Sequence, residues 1–471
     1  MPSVSEPLLP LADIFARIPA EREAIVHEGE RWTFARLDAR SAQLAAWLRN
    51  HGAQPDDLIA FALPNGPQFL ALTFAIYRCG ATPAPLSAKL PAAERDAILA
   101  TMQPRCFIAP TDPPEREDTA ALPPGPLHIA TSWKACTSGG STGRPKVIVD
   151  GRPAGFAPDT DFIAIPRDSR VLVPGPLYHN APFSAAVFAL WRGNTVITMP
   201  RFDAAQALAL IETERVEWAL MVPTMMHRIL ALPEPDRTSR DLSHWRTVVH
   251  TAAPMAPWLK HAWIDWLGPD HVWEVYGATE GLVRCWIGGR EWLERPGAVG
   301  KPLGGARLRI TAPDGTEAPP GVAGEVYAMP AAGPATSYRY IGAERRAIAG
   351  GWESVGDTGW VDDEGYLYLA DRSDDLIISG GVNIWPAEVE AAILEHPDVR
   401  SCAVYGVPDP DLGSAVHAVI ETAGNLSVTT LSAFLDDRLA RPKHPRSIAA
   451  TAAPVRDDAG KFRKPKGPPP S

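Results

Sequence analysis

The chain has 471 residues, 45% of them hydrophobic and 21% charged, the composition of a globular protein long enough for two or three domains. A formal charge of −10 argues against a general nucleic-acid binder. The five cysteines lack metal-ligand spacing and read as reduced thiols of a cytoplasmic protein, and neither a signal peptide nor an integral membrane span is expected.

In chain order, Thr33 is expected to cap a helix through Asn50, followed by a strand over Asp57–Leu63 and an apolar helix over Pro67–Cys79. Arg105–Ala109 and Thr195–Met199 read as strands. Strand and helix then alternate through Ala204–Arg215 (helix), Glu217–Val222, Thr224–Leu232 (helix), Arg246–Thr251, Pro257–Leu267 (helix) and Val272–Tyr276. Such alternation implies helix-covered parallel sheets, with ligands at the carboxyl ends of the strands. Trp258, Trp263 and Trp266 fall on one predicted helix and read as core packing.

From about Ala298 to Ala370 the apolar runs shorten and Gly and Pro become dense, which predicts antiparallel strands in a small β subdomain, 297–373. After Asp374 a compact α+β pattern follows: a strand over Leu376–Ser379, a helix over Pro386–Glu395, strands near Ser401–Gly406 and Ala415–Glu421, and a helix near Val428–Leu439. The expected organisation is therefore an α/β protein with an N-terminal domain, 1–373, and a small mobile C-terminal domain, 374–471. The span from Arg438 to Lys466 holds nine Lys and Arg against two acids, which suits an anionic ligand or a solvated tail.

The first chemical signal is Thr137-Ser138-Gly139-Gly140-Ser141-Thr142-Gly143-Arg144-Pro145-Lys146. Glycines let the backbone approach a ligand closely, and successive N–H groups, hydroxyls and a lysine suit a phosphate chain. The same composition also makes an ordinary surface loop. A Walker A loop is excluded, because Arg144 and Pro145 follow Gly143. Four further stretches strengthen the reading. Tyr276-Gly277-Ala278-Thr279-Glu280 offers an aromatic face, a hydroxyl and a carboxylate after a strand, suited to adenine, phosphate and magnesium. In Gly356-Asp357-Thr358-Gly359 a carboxylate between tight turns can accept both hydroxyls of a ribose. The remaining two are Asp371 to Ile384, which holds Arg372, Asp374, Gly380 and Gly381, and Gly460-Lys461.

Together, and in this order, these motifs resemble the adenylate-forming superfamily of acyl-CoA synthetases, luciferases and peptide-synthetase adenylation domains, over nearly the whole chain. The resemblance implies that Thr137 to Lys146 wraps the β- and γ-phosphates of ATP. It implies that Tyr276 lies against adenine, Thr279 contacts the α-phosphate and Glu280 binds Mg2+. Asp357 and Arg372 would hold the ribose, Asp374 would be the hinge of the C-terminal domain, Gly380 and Gly381 would line the coenzyme A tunnel, and Lys461 would bridge carboxylate and phosphate oxygens. Acid-pocket positions would be Tyr178, His179, Asn180, Phe183, Ala252, Ala253 and Gly277, with His179 as a gating residue. The segment Val147–Phe156 departs from the family pattern, and so does the Pro-rich end after Lys461.

The resemblance implies that the acid pocket forms near Pro176–Phe183, where amino-acid-activating members carry an aspartate for the substrate's ammonium. The stretch from Gly175 to Trp191 holds no acid, so the resemblance implies a carboxylic acid without an α-amino group, and the apolar segment with the motif likeness favours a hydrophobic one. The motifs look most like those of bacterial ligases for bile acids, sterol side chains and fatty acids. An acid–CoA ligase is the leading reading. An enzyme loading a carrier-protein pantetheine and a non-catalytic nucleotide-binding module are the alternatives.

Overall fold

The computed structural model describes residues 7–112, 128–139, 145–312, 314–372, 376–422, 424, 426–457 and 460–462. A fourteen-stranded sheet forms its centre. Five strands run parallel through its middle: Glu23–His27, Thr195–Thr198, Arg170–Val173, Trp218–Met221 and Thr247–His250, with Val272–Gly277 continuing parallel beside the last. Their short runs, such as Thr-Val-Ile-Thr and Trp-Ala-Leu-Met, are buried throughout because helices cover both faces.

Beyond Val272–Gly277 every added strand is antiparallel, from Arg284–Gly288 and Ala298–Pro302 through Leu367–Arg372, Trp352–Val361 and Gly324–Met329 to Arg307–Thr311. The Gly- and Pro-dense region therefore extends the large sheet rather than standing apart from it. A parallel three-stranded sheet over Thr82–Pro85, Leu58–Phe61 and Cys106–Ile108 packs nearby, as does an antiparallel one over Tyr338–Ile341, Pro145–Asp150 and Ala135–Gly139.

Local rules account for the helix ends. Thr33 Oγ1 accepts from Arg36 N at 3.2 Å and starts the helix Phe34–Asn50. Proline occupies the first turn of Pro67–Arg78, Pro223–Leu230, Pro257–Leu267 and Pro386–Ile393. The helix expected over Ala204–Arg215 stops at Thr213, because Arg215 takes φ 50°, outside the helical basin. The helix Asn180–Trp191 was not foreseen. Every residue from Pro182 to Trp191 is buried, so it lacks the two-faced pattern that marks a surface helix.

The C-terminal region builds its own core. Val399–Asp409 and Gly413–Thr422 pair antiparallel, Ser447–Thr451 joins parallel, and Pro386–Ile393 and Val428–Leu435 cover them. This core meets the rest of the molecule at Trp258, whose indole Nε1 donates to Ala391 O at 3.2 Å, and at Arg228, 3.6 Å from Glu421. Trp263 and Trp266 instead pack with Trp245 in the core under the sheet, so the three tryptophans of one helix serve two different contacts. The expected boundary at Ser373-Asp374 lies outside the described residues.

Candidate active site

The Gly-rich stretch is not one loop. Thr137 to Gly139 end the strand Ala135–Gly139, and Pro145 and Lys146 begin its hairpin partner, with Ser138 opposite Lys146 and Gly139 opposite Pro145. Gly140, Ser141, Thr142, Gly143 and Arg144 lie outside the described residues. The stem is anchored by the buried Ala135 and Cys136 on one strand and Val147 and Val149 on the other. Burial pushes the Cys136 thiol up, so it packs rather than attacks.

Two clusters form at the edge of the large sheet. In the first, Lys146 Nζ stands 3.2 Å from Glu280 Oε1, and the Tyr340 hydroxyl donates to the same oxygen at 2.6 Å. Lys146 also donates to Tyr340 Oη at 3.2 Å. Burial, reinforced by Glu280, pushes the Tyr340 phenol up, so it stays protonated and donates. In the second, Tyr276 Oη donates to Asp357 Oδ2 at 2.6 Å, and Asp357 stands opposite Arg372 in the strand register. Asp357 was expected between tight turns. It lies inside the ten-residue strand Trp352–Val361, in which Gly356 takes φ 90° and the register shifts between Thr358 and Gly359. Gly359 is there because a methyl group on it would come 2.2 Å from Tyr368 O.

Thr279 is half-buried in the turn between these clusters and Glu280 is buried. Thr251 Oγ1 donates to Val275 O at 2.8 Å, tying the end of Thr247–His250 to the strand that carries Tyr276. Ala252, the next residue, takes φ 76°, a conformation strained for a residue with a Cβ. Ala253 beside it is half-buried.

Lys461 reaches this edge from the C-terminal region. A methyl group on Gly460 would lie 3.3 Å from Thr224 Oγ1 and 3.6 Å from Val222 Cγ2, at the carboxyl end of Trp218–Met221. The Lys461 charge is near enough to Cys136 to favour its thiolate. Three contacts hold the segment. Arg456 Nη1 donates to Gly460 O at 3.0 Å while pairing with Glu390 at 2.7 Å, Lys461 N donates to Asp457 Oδ1 at 2.9 Å, and Phe462 stacks on Tyr405 at 5.6 Å.

Residues 13–132 and 134–340 match the AMP-binding enzyme family, and residues 388–461 match the AMP-binding enzyme C-terminal domain. The chain belongs to the AMP-binding enzyme family. A feruloyl-CoA synthase of an Amycolatopsis species is 34% identical to it, across 95% of this chain and 96% of its own. A 2-succinylbenzoate–CoA ligase of Bacillus licheniformis is 30% identical, across 92% and 94%. The solved structure of o-succinylbenzoate CoA synthetase from Bacillus subtilis in complex with ATP and magnesium superposes with a TM-score of 0.81 at 26% identity, over 97% of this chain and 98% of that one.

The remaining positions expected from that family fall in two places. Tyr178, His179 and Asn180 are half-buried at the start of Asn180–Trp191, with the Tyr178 and His179 rings 4.3 Å apart. Phe183 departs from expectation. It is fully buried and packs on Phe69 and Trp133, so it supports this wall from behind rather than facing a substrate. Asn180 Oδ1 accepts from the buried Lys134, which also donates to Ser184 Oγ at 3.1 Å. Gly277 is exposed. Gly380 and Gly381, at φ 55° and 82°, turn the hairpin Ile377–Ser379 and Val382–Ile384 on the C-terminal core, where Ile378 is 55% exposed. The side chain of Arg372 is outside the described residues, and so is Asp374.

Sequence reasoning did not single out Tyr340, Lys134, Asp150 or Arg284. For Tyr340 the signal was the alternation Tyr338-Arg339-Tyr340, which marks a strand with both tyrosines on one side; their rings lie 4.7 Å apart. For Lys134 it was a lone cation between Trp133 and Ala135, within an otherwise apolar strand start.

The donor set of the first cluster suits magnesium. Among the described residues no group of three or more His, Cys, Asp or Glu could hold a metal by protein ligands alone. Magnesium bound with a nucleotide takes one or two carboxylates and completes its shell with phosphate oxygens and water. Glu280, buried and next to Lys146, provides one such hard oxygen donor.

Proposed function

We propose that this protein is an ATP-dependent acid–CoA ligase that activates a hydrophobic carboxylic acid as its acyl-adenylate and passes the acyl group to the thiol of coenzyme A. The observation that carries this reading is the meeting, at one sheet edge, of Lys146–Glu280–Tyr340, Tyr276–Asp357 and the Gly460-Lys461 segment. Among the described residues no helix is long and apolar enough to cross a membrane, and we place the enzyme in the cytoplasm.

In the first step a carboxylate oxygen of the acid attacks the α-phosphorus of ATP, and the bond to the pyrophosphate leaving group breaks. Both reactants are anions, so the protein's main tasks are positioning and charge stabilisation. Lys146 and the hairpin Ala135–Asp150 hold the β- and γ-phosphates that leave, Tyr276 and Asp357 hold the nucleoside with Arg372, and Thr279 faces the α-phosphate. Lys461 bridges the two reacting anions. Glu280 would hold Mg2+, which neutralises phosphate charge at the developing transition state. The anhydride product is sensitive to water, and closure of the C-terminal region over the edge shields it.

In the second step the CoA thiolate attacks the acyl carbon and AMP leaves. The Gly380-Gly381 hairpin delivers the thiol after rotation at Asp374. His179 and Tyr178 stand at the mouth of the acid site, with Asn180, Ala252, Ala253 and Gly277 around it. The absence of any carboxylate from Gly175 to Trp191 and the apolar helix behind it favour an acid without an α-amino group.

Exchange of labelled pyrophosphate into ATP tests the first step. It should appear only with a cognate acid, and hydrophobic acids should support it best; a strong preference for small polar acids would sink the substrate assignment. Free CoA offered beside a holo-carrier protein tests the acceptor, and thioester forming on the carrier alone would redirect the reading to carrier loading.

A further inference from the structure

The strand Arg284–Gly288 returns antiparallel beside Val272–Gly277 and sets Arg284 directly across from Gly277. A methyl group on Gly277 would meet Arg284 Cγ at 3.5 Å, so the arginine stem covers the space that the glycine leaves open. The guanidinium extends over Phe162, 5.4 Å from the ring centre, and Phe162 stacks on Phe188 at 4.4 Å. Phe162, Tyr178, Ala181 and Trp286 pack against one common core, so Arg284 lies on the sheet face that the acid-site wall covers.

The carboxylates near Arg284 are already engaged. Asp150 is buried and accepts from Arg152 at 2.9 and 2.8 Å, with Lys134 a further 3.8 Å away. Asp161 pairs with Arg192 at 3.6 Å. The Arg284 guanidinium itself forms no hydrogen bond or ion pair among the described residues. Lys134, Arg152 and Arg284 therefore share one buried carboxylate. Burial and the repulsion of Arg152 push Arg284 down, opposed by Asp150 and Asp161, but a guanidinium keeps its charge in a protein. A half-buried cation of this kind is costly unless an anion reaches it.

We infer that Arg284 is a specificity-determining residue that pairs with a second carboxylate on the substrate, so that the preferred acid is a hydrophobic diacid. This rests on the acid-activating reading above. The planar guanidinium fork matches a carboxylate through two parallel hydrogen bonds. Phe162 and the aromatic wall beside it bury the skeleton between the two acid groups. Lys134 is fixed on Asn180 and Ser184 at the start of the helix Asn180–Trp191.

The test compares three acids of one aromatic skeleton in the pyrophosphate-exchange assay: the monoacid, the diacid and the diacid's distal methyl ester. The unaltered enzyme should favour the diacid by about 10- to 100-fold in kcat/KM over the other two, the range expected for one charge-assisted pair. Arg284→Gln should erase that preference while leaving the monoacid within a few-fold, and Arg284→Lys should restore part of it. Equal or better use of the monoacid by the unaltered enzyme overturns the inference, as does an equal fall for all three acids in both variants. Exchange with none of the acids tried, monoacids included, overturns the ligase reading as well, and this outcome is distinct from the other two.

Discussion

Two lysines, Lys134 and Lys260, are buried in different cores, each near a tryptophan ring and a carboxylate. Around Lys260 the charges balance. It pairs with Glu274, and the neighbouring His250 is fully buried and kept neutral by burial, its pKa lowered to about 3. Around Lys134 they do not, because Asp150 is engaged by Lys134 and Arg152 while Arg284 makes no direct ion pair among the described residues. The balanced cluster lies within the fold beneath the sheet, and the unbalanced one lies beside the proposed acid site. The difference teaches that a closed set of charges serves stability, whereas surplus charge at a cleft waits for a ligand.

The largest expected effect lies on the balanced side. Lys260→Met leaves the Glu274 carboxylate buried without its cation and should cost about 3–5 kcal/mol of stability. Thermal melting should show the loss, and a second change, Glu274→Leu, should recover most of it. The folded fraction should exchange pyrophosphate at the normal rate. A variant that melts normally, or that folds but has lost exchange, would break the comparison.

On the functional side the mirror case is Lys461→Ala. Lys461 is exposed, so its loss should leave the melting temperature in place. Adenylation should fall by ~10²–10³, the usual cost of removing one charge-stabilising donor. Thioester formation from preformed adenylate should survive, since that step does not use the lysine. Equal loss of both half-reactions would contradict the role.

These contrasts bear on what was legible before the fold was seen. The order of the phosphate stretch, Tyr276 to Glu280, Asp357 and Lys461 was readable because each is a short run of unusual residue types. Their surroundings were not. Gly356 and Gly359 looked like turn residues, yet they serve a close strand contact and a bulge inside Trp352–Val361. Asn180–Trp191 carried no helical pattern because both of its faces are apolar. Tyr340 meets Glu280 through a side-chain hydrogen bond across 60 residues, and Arg284 meets Gly277 through a strand pairing, neither of which a local pattern encodes. Phe183 belonged by position to the acid segment, but helix geometry turns it into the core.

A smaller effect separates the clusters by pH. Folded His250 resists protonation down to about pH 3, whereas unfolded it titrates near its ordinary value of 6.5. Below about 6.5 the unfolded chain therefore takes up a proton that the folded chain refuses. The associated stability is complete above 6.5 and is lost as pH falls toward 3, about 2 kcal/mol of it by pH 5. Melting at pH 7.5 and 5 checks this, and His250→Gln should flatten the difference. Among the described residues the charges acting on Lys134 include no histidine, so that cluster should contribute no step in that window.

The smallest effect concerns an intermediate case. Lys146 and Glu280 are matched one to one, like Lys260 and Glu274, but the Lys146 side chain is 25% exposed at the cleft. Tyr340→Phe keeps the ring over which Lys146 sits, 4.6 Å from its centre, and removes only the hydroxyl that donates to Glu280. The loss should be about 1 kcal/mol, read as a several-fold rise in KM for MgATP with melting unchanged. Exposure would then matter more than charge balance in deciding which buried pairs are functional. A shift in melting with KM unchanged would reverse that ranking, because it would make the Lys146–Glu280–Tyr340 cluster a structural pair that happens to face the cleft.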